Sequence, residues 1–349
     1  MSDVDGIRVL ILGMGFISGH MYKFLEPRPW FECAGVVDVS SAGLASGKKL
    51  AGLPDSALFI DLQTALEAIK PKAVLVNTPA ELHYHQAKTC LEFGCHVLVA
   101  KPMATDFSQA LDLVEIASTN GVTLCVAQQI RYNRHFTAVR EYIKSGALGS
   151  IEGAWFMNSK PRPDVANLGR MSQPTLLENA CHHFDAFLAV FVDHEPEWIF
   201  CDGFQPSWSE YSGPCMVNAL VGFTGNLHLS YHGGFSSRAP MYEFRLEGAK
   251  GSLRCHGLHM SNDTMEYEIA PALGEFQPGR IDEAVALRDP FVPFIDAWHD
   301  YLTGGPEPPF SGRNNLRTIA MLAASIESVE TGLTVQIAQN RRFRAAFTA

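Results

Sequence analysis

The sequence predicts an α/β chain in two parts: an N-terminal domain on a parallel sheet wrapped by helices, then an α+β domain with a large, mostly antiparallel open sheet. Three observations predict this. Up to Gln129, short apolar strands alternate with helical patterns, the signature of parallel strands joined by crossover helices. Beyond it, strand-like runs follow one another without intervening helices, as in antiparallel sheets. The length of 349 residues exceeds the usual size of a single core, so domains are expected over residues 1–129 and 130–349.

In the first part, strands are expected at Val9–Leu12, Gly35–Val39, Leu58–Ile60, Ala73–Asn77, His96–Val99 and Thr123–Val126. Helices are expected at Phe16–Leu25, Ser41–Ala51, Leu62–Ile69, Leu82–Phe93 and Phe107–Thr119. Asp106 with Gln109 reads as a capping pair, and Gly94 and Gly121 as helix stops. In the second part, Asn133–Ser145 and Leu176–Val192 read as helices. Strands are expected at Ile151–Met157, Trp198–Gly203, Met216–Phe223, Asn226–Gly233, Met241–Glu247 and Ser252–His256. Gly248-Ala-Lys-Gly251 reads as a hairpin turn. A last helix is expected over Leu316–Thr331, after a proline-punctuated loop, and the terminal RRFRAAFTA as a solvated tail.

The first strand runs into Gly13-Met-Gly15-Phe16-Ile17-Ser18, a turn shaped for a dinucleotide's pyrophosphate. Gly13 permits the tight turn, Gly15 lets the backbone approach the phosphates, and the helix start offers unpaired N–H groups. About twenty residues on, Asp38 ends the second strand-like run, where an acid can bind the ribose hydroxyls. Ser18 stands where the third glycine is usual. Asp38 favours NAD because a further phosphate would meet its charge, with NADP left open. The fourth strand ends in Asn77-Thr78-Pro79, followed by His83, and the fifth in Lys101-Pro102. Strand ends of an open parallel sheet face the ligand, so Asn77, Thr78, Pro79, His83 and Lys101 are expected on the cofactor.

Hydrophobic content of 47% and charged content of 18% indicate a globular chain, and a net charge of −10 opposes a nucleic-acid partner. The eight cysteines include no C-x-x-C pair, which points to reduced thiols and no metal. With no apolar run long enough for a membrane span and no basic leader in MSDVDGIRVL, a cytoplasmic protein with no membrane partner is expected.

Lys101 follows the apolar HVLVA directly, an unusual place for a solvated side chain. Glu178, His182 and Asp185 share one helix face, where a carboxylate can orient an imidazole as a general base. Against that, Thr175 with Glu178 also fits a capping box. Arg131, Asn158, Arg162 and Arg170 are further candidate substrate contacts, on segments expected to border a cleft between the domains.

The string VNTPAELHYHQAKTCLEFGCHVLVAKPMA resembles the glucose–fructose oxidoreductase, inositol dehydrogenase and MocA family. So do Arg131-Tyr132, Gly146-Ala-Leu-Gly149-Ser-Ile, the Glu178/His182/Asp185 helix and the Gly248–Gly251 turn. The resemblance implies a Rossmann domain and an α/β domain whose sheet makes a homodimer or homotetramer. It also implies oxidation or reduction of secondary alcohols of sugars and cyclitols with NAD or NADP. By the same resemblance Lys101 and His182 are catalytic, and Glu178 takes a place usually held by aspartate. Ala100 departs from the family's glutamate before the lysine. Relatives that only sense dinucleotide, or that cleave glycosides with bound NAD, remain as alternatives.

Overall fold

The computed structural model describes residues 6–163, 165–260, 265–280 and 289–347. They fall into two compact units: the described residues up to Gln129 with Phe291–Ile319, and Ile130–Pro290 with those from Ala320 onward. The first unit thus takes in the stretch from Phe291 to Ile319 as well as the chain up to Gln129.

The first unit's elements are β1 (Ile7–Leu12), α1 (Phe16–Leu25), β2 (Phe31–Val37), α2 (Ser41–Ala51), β3 (Leu58–Phe59), α3 (Leu62–Ile69), β4 (Ala73–Val76), α4 (Ala80–Glu92), β5 (His96–Val99), α5 (Phe107–Thr119) and β6 (Leu124–Val126). The strands pair in parallel in the order β3-β2-β1-β4-β5-β6, so the order reverses between β1 and β4. That reversal opens a crevice beyond their carboxyl ends. Every residue of β4 is buried, as expected when helices cover both faces of a parallel sheet. Asp106 caps α5 by accepting from the N–H groups of Ser108 and Gln109.

A helix absent from the sequence expectations, α8 (Phe291–Leu302), completes this unit. Pro293 reads as a breaker, yet in a first turn its missing N–H costs nothing. Phe291 stacks on Phe24 at 4.9 Å between ring centroids, His299 on Trp30 at 4.4 Å, and Arg28 pairs with Asp296 at 2.7 Å. These aromatic contacts explain why the stretch returns to the first unit. The last helix, α9 (Gly312–Thr331), starts four residues earlier than expected, with the Ser311 hydroxyl accepting from Asn314 N–H.

The second unit contains α6 (Arg134–Lys144), β7 (Ile151–Ser159), α7 (Cys181–Val190), β8 (Pro196–Phe204), β9 (Met216–Phe223), β10 (Leu227–Gly234), β11 (Met241–Gly248), β12 (Gly251–Gly257), β13 (Glu266–Pro271), β14 (Gln277–Pro278) and β15 (Val335–Gln336). Its nine strands order as β14-β13-β12-β11-β7-β10-β9-β8-β15, antiparallel except for β7 beside β10. Ala249 and Lys250 form the two-residue turn between β11 and β12. Side chains alternate across the sheet. Phe156 packs against Phe187 and Tyr231 on the helical side, while Trp155 on the other side is 46% exposed. β13, β14 and β15 are absent from the sequence expectations; the last two are only two residues long. The C-terminal segment is not simply solvated: Phe343 is buried and Arg342 pairs with Glu327 at 3.1 Å, though the last two residues lie outside the described ones. No helix among the described residues is long and apolar enough to cross a membrane.

Candidate active site

In the first unit the site grows from the ends of β1, β2, β4 and β5. Gly13 has φ of +86°, and a Cβ there would lie 2.9 Å from both the Asn77 carbonyl oxygen and Thr78 Cγ2. Only glycine fits that turn. Gly15 differs: its φ is −74°, and nothing lies within 4 Å of a Cβ placed on it. No side chain caps α1, so the N–H groups around Phe16 and Ile17 are left to a ligand. Ser18 is buried and its hydroxyl donates to the Gly13 carbonyl, so the departure from a third glycine ties helix to turn.

Beside this turn the Asn77 side chain is 5% exposed, and neither its amide nitrogen nor its oxygen has a hydrogen-bond partner. A buried unsatisfied amide is costly, and a bound carboxamide would satisfy it. Asp38 accepts from Met14 N–H at 2.8 Å through one oxygen, and from the Ser40 N–H and hydroxyl, both at 2.8 Å, through the other. Partial burial works against its ionisation, but the donors from Ser40 and Met14 outweigh it and hold the carboxyl below its ordinary value. The residues present therefore fit a dinucleotide: an open helix start, a glycine that makes way, and an acid at the second strand's end.

His83, expected on the cofactor, is closed from solvent. Its ring nitrogens lie 2.7 Å from the Pro102 carbonyl and 2.8 Å from that of Thr78. The imidazole thus joins the ends of β4 and β5 through the Thr78 and Pro102 carbonyls. Lys101 is partly exposed, directly after buried Ala100.

In the second unit, the helix expected over Leu176–Val192 has two parts, a π-helical turn at Leu176–Ala180 and then α7. Such turns recur at functional sites because they re-aim side chains. Thr175 does not cap it; its hydroxyl donates to the Cys215 carbonyl at 2.7 Å, which removes the capping-box reading of Glu178. From Gln173 to Phe187 every residue is buried except Glu178, one turn before His182 at 8% exposure.

Three expected substrate contacts are used internally. Asp185 pairs with Arg131 at 3.3 Å, both buried. The Asn158 side-chain amide donates to His183 Nε2 at 2.9 Å, so Nδ1 carries the proton and donates to the Tyr231 hydroxyl at 3.0 Å. Burial first, and the Lys160 charge second, push His183 down to about 3, leaving the ring neutral. The Arg162 guanidinium lies over the Phe235 ring, 5.1 Å from its centroid, and Arg170 is exposed. The sequence could not show the Asn158–His183–Tyr231 mount, although the adjacent His182-His183 pair hinted at two roles.

Comparison with known proteins bears on the fold and the family. Residues 7–128 match the model of an oxidoreductase family with an NAD-binding Rossmann fold, and 140–337 that family's C-terminal α/β domain. The uncharacterized protein y4oX of Sinorhizobium fredii is 23% identical over 323 residues, 88% of each chain. The scyllo-inositol 2-dehydrogenase (NADP(+)) IolW of Bacillus subtilis is 26% identical over 193 residues, 54% of this chain and 52% of that one. Among solved structures, the WlbA dehydrogenase of Bordetella pertussis, in complex with NADH and UDP-GlcNAcA, superposes with a TM-score of 0.82 at 20% identity. That match covers 97% of this chain and 100% of WlbA.

Proposed function

The chain belongs to the Gfo/Idh/MocA oxidoreductase family, and on that premise we propose that it transfers hydride between NAD and a secondary alcohol or ketone of a sugar, cyclitol or related polyol. The carrying observation is the strand-end cradle. Gly13 leaves no room for a side chain, Gly15 faces open space, and Asp38 stands ionised at the adenosine end. The name of the Bacillus relative supports the polyol class.

When bound, the nicotinamide supplies the acceptor or donor of hydride. In oxidation His182 takes the proton from the reacting hydroxyl, and Lys101 donates a hydrogen bond to the oxygen as its charge grows. Glu178, opening to solvent one turn away, orients the imidazole and holds a neighbouring hydroxyl. Asp185 and Arg131 neutralise each other beneath the helix and fix its face. In reduction the proton returns from His182.

Self-association through the open sheet face extends the proposal. Trp155, Leu220 and Met241 are each at least 44% exposed around a concavity of about 870 Å³ on the side away from α7, and a second copy would cover them. Eight free cysteines, seven of them buried, support action in a reducing compartment such as the cytoplasm.

Cofactor fluorescence during incubation with inositols, aldoses and their oxidised forms tests the reading. Net change in NADH is expected. Tight dinucleotide binding without turnover would instead identify a sensor, and product without net cofactor change a glycosidase.

A further inference from the structure

Three loops at one end of the large sheet form a surface that the proposed chemistry does not use. They follow β7 (residues 160–172), follow β8 (205–215) and follow β10 (235–240). Cys215, fully buried, is their hub. Its N–H donates to the Phe204 carbonyl, and its own carbonyl accepts from Phe235 N–H at 2.9 Å and from the Thr175 hydroxyl at 2.7 Å. The first and second loops are further joined where Ser212 N–H and hydroxyl both donate to the Gly169 carbonyl. The first and third are joined where Arg162 N–H donates to the Phe235 carbonyl at 2.8 Å. Because Thr175 leads directly into the π-turn, this hub fixes the loops against the turn that carries Glu178, three residues on.

Among the exposed side chains on these loops are the cationic Lys160, Arg170 and Arg238 and the aromatic Trp208, and Arg162 is half-buried. Arg162 lies over Phe235. Arg238 lies over Trp208, 5.6 Å from its centroid, and Trp208 Nε1 donates to the Ser236 carbonyl at 2.9 Å, which holds the indole and Arg238 as a unit. Trp208 is 54% exposed, and Arg170 stands next to the bonded Gly169. No carboxylate among the described residues pairs with Arg162, Arg170 or Arg238. The acids in the three loops are Glu210 and Asp164, the latter outside the described residues, against these arginines and Lys160. A cationic surface on a chain of net charge −10 is a local feature and needs a local cause.

We infer that this loop cluster binds the anionic end of the substrate, which is a polyol carrying a carboxylate or phosphate. The inference rests on the dehydrogenase reading and narrows its substrate class. Guanidinium groups match both anions in planar, two-pronged geometry, and an indole offers the apolar face of a sugar ring a stacking surface. With the anion held at the loops, the polyol chain extends toward Glu178 and His182.

Binding and turnover of glucuronate, a hexose phosphate and myo-inositol test this. Binding is read by tryptophan fluorescence and calorimetry, in the presence of NAD. The wild-type protein is expected to bind at least one of the anions more tightly than myo-inositol, with an affinity that falls as salt rises. Arg170→Ala and Arg238→Ala are each expected to weaken that anion by about 10- to 100-fold, the worth of a charge-assisted hydrogen bond. Trp208→Phe should abolish the fluorescence change. Glucuronate alone responding identifies a carboxylate site, and the hexose phosphate alone a phosphate site. Anion binding without turnover of any compound supports the anion site but sinks the dehydrogenase reading, and with it the assignment of that anion to a substrate. Turnover of myo-inositol with no tighter or more salt-sensitive binding of either anion overturns the inference and leaves the dehydrogenase reading intact.

Discussion

The two units hold their candidate residues by different means. In the first, main chain does the holding: Gly13 and Asn77 stand where adjacent parallel strands stop, and Ser18 and Asp38 tie the turn through its own carbonyl and N–H groups. In the second, side chains distant in sequence do it: Asp185 on Arg131, His183 between Asn158 and Tyr231, Thr175 on Cys215. A site built from strand ends is set by local sequence, whereas a site mounted on a helix depends on what packs behind it. The first arrangement suits a cofactor common to many enzymes. The second can be re-aimed by a few substitutions, as fits a substrate that varies.

The largest expected effect tests whether both units serve one reaction. Lys101→Ala and His182→Ala should each lower turnover by about two to four orders of magnitude, while NADH affinity, read by fluorescence titration, stays within a few fold. If both groups act on one oxygen, as proposed, the losses in the double variant should fail to add. Full additivity, or near-normal rates in either single variant, would remove the residue pair from the mechanism.

Next come the two glycines, which divide the roles within the first unit. Gly13→Ala forces a left-handed backbone and a 2.9 Å clash with neighbouring main chain, so it should destabilise the protein by about 1–3 kcal/mol and lose NADH binding. Gly15→Ala has an ordinary φ and open space, so melting should stay unchanged while NADH affinity falls at least about tenfold. Equal thermal behaviour in the two variants would contradict the distinction.

A smaller effect sharpens the side of the comparison held by side chains. His183 is about 3 when folded and about 6.5 when unfolded, so the unfolded chain takes up the proton first as pH falls. Its contribution to stability is whole above pH 6.5 and declines below it, by at most about 1.4 kcal/mol per pH unit, until the folded value is reached. Denaturation of wild type and His183→Gln over that window should show a flatter acid limb in the variant. Parallel limbs would mean that burial of this ring is not what acid attacks.

The same contrast sets what could be read from sequence. α1, α2, α3 and α5 match their expected bounds because their start signals are local: Gly15 before α1, and the side-chain caps Ser40, Asp61 and Asp106 before the others. Lys101, Glu178 and His182 stood out as residue types in unusual settings. Their surroundings did not: Thr175 looked like a cap because its partner, Cys215, lies 40 positions away, and the Arg131–Asp185 pair spans 54. The π-turn leaves no periodic trace, and α8 was hidden by Pro293. Asn158 and His83 read as ligand contacts because each sits beside a binding segment. Only three-dimensional packing shows that their polar atoms face inward.

The smallest effect concerns a first-unit residue whose side chain does two jobs. Asp38 anchors the turn through Met14 and Ser40 and is the charge that a cofactor phosphate would meet. Asp38→Asn removes the charge but leaves one oxygen for these donors, while its NH₂ group faces an N–H it cannot accept from. NADH affinity should therefore fall modestly, and NADPH affinity less or not at all, so their ratio should shift toward NADPH by about tenfold. Because the donors hold Asp38 ionised below its ordinary value, Asp38 itself should add no pH dependence to the wild-type ratio between neutral and mildly acidic pH. If the variant kept the wild-type ratio, the turn's geometry rather than the Asp38 charge would choose the cofactor, and the first unit's selectivity would lie wholly in its main chain.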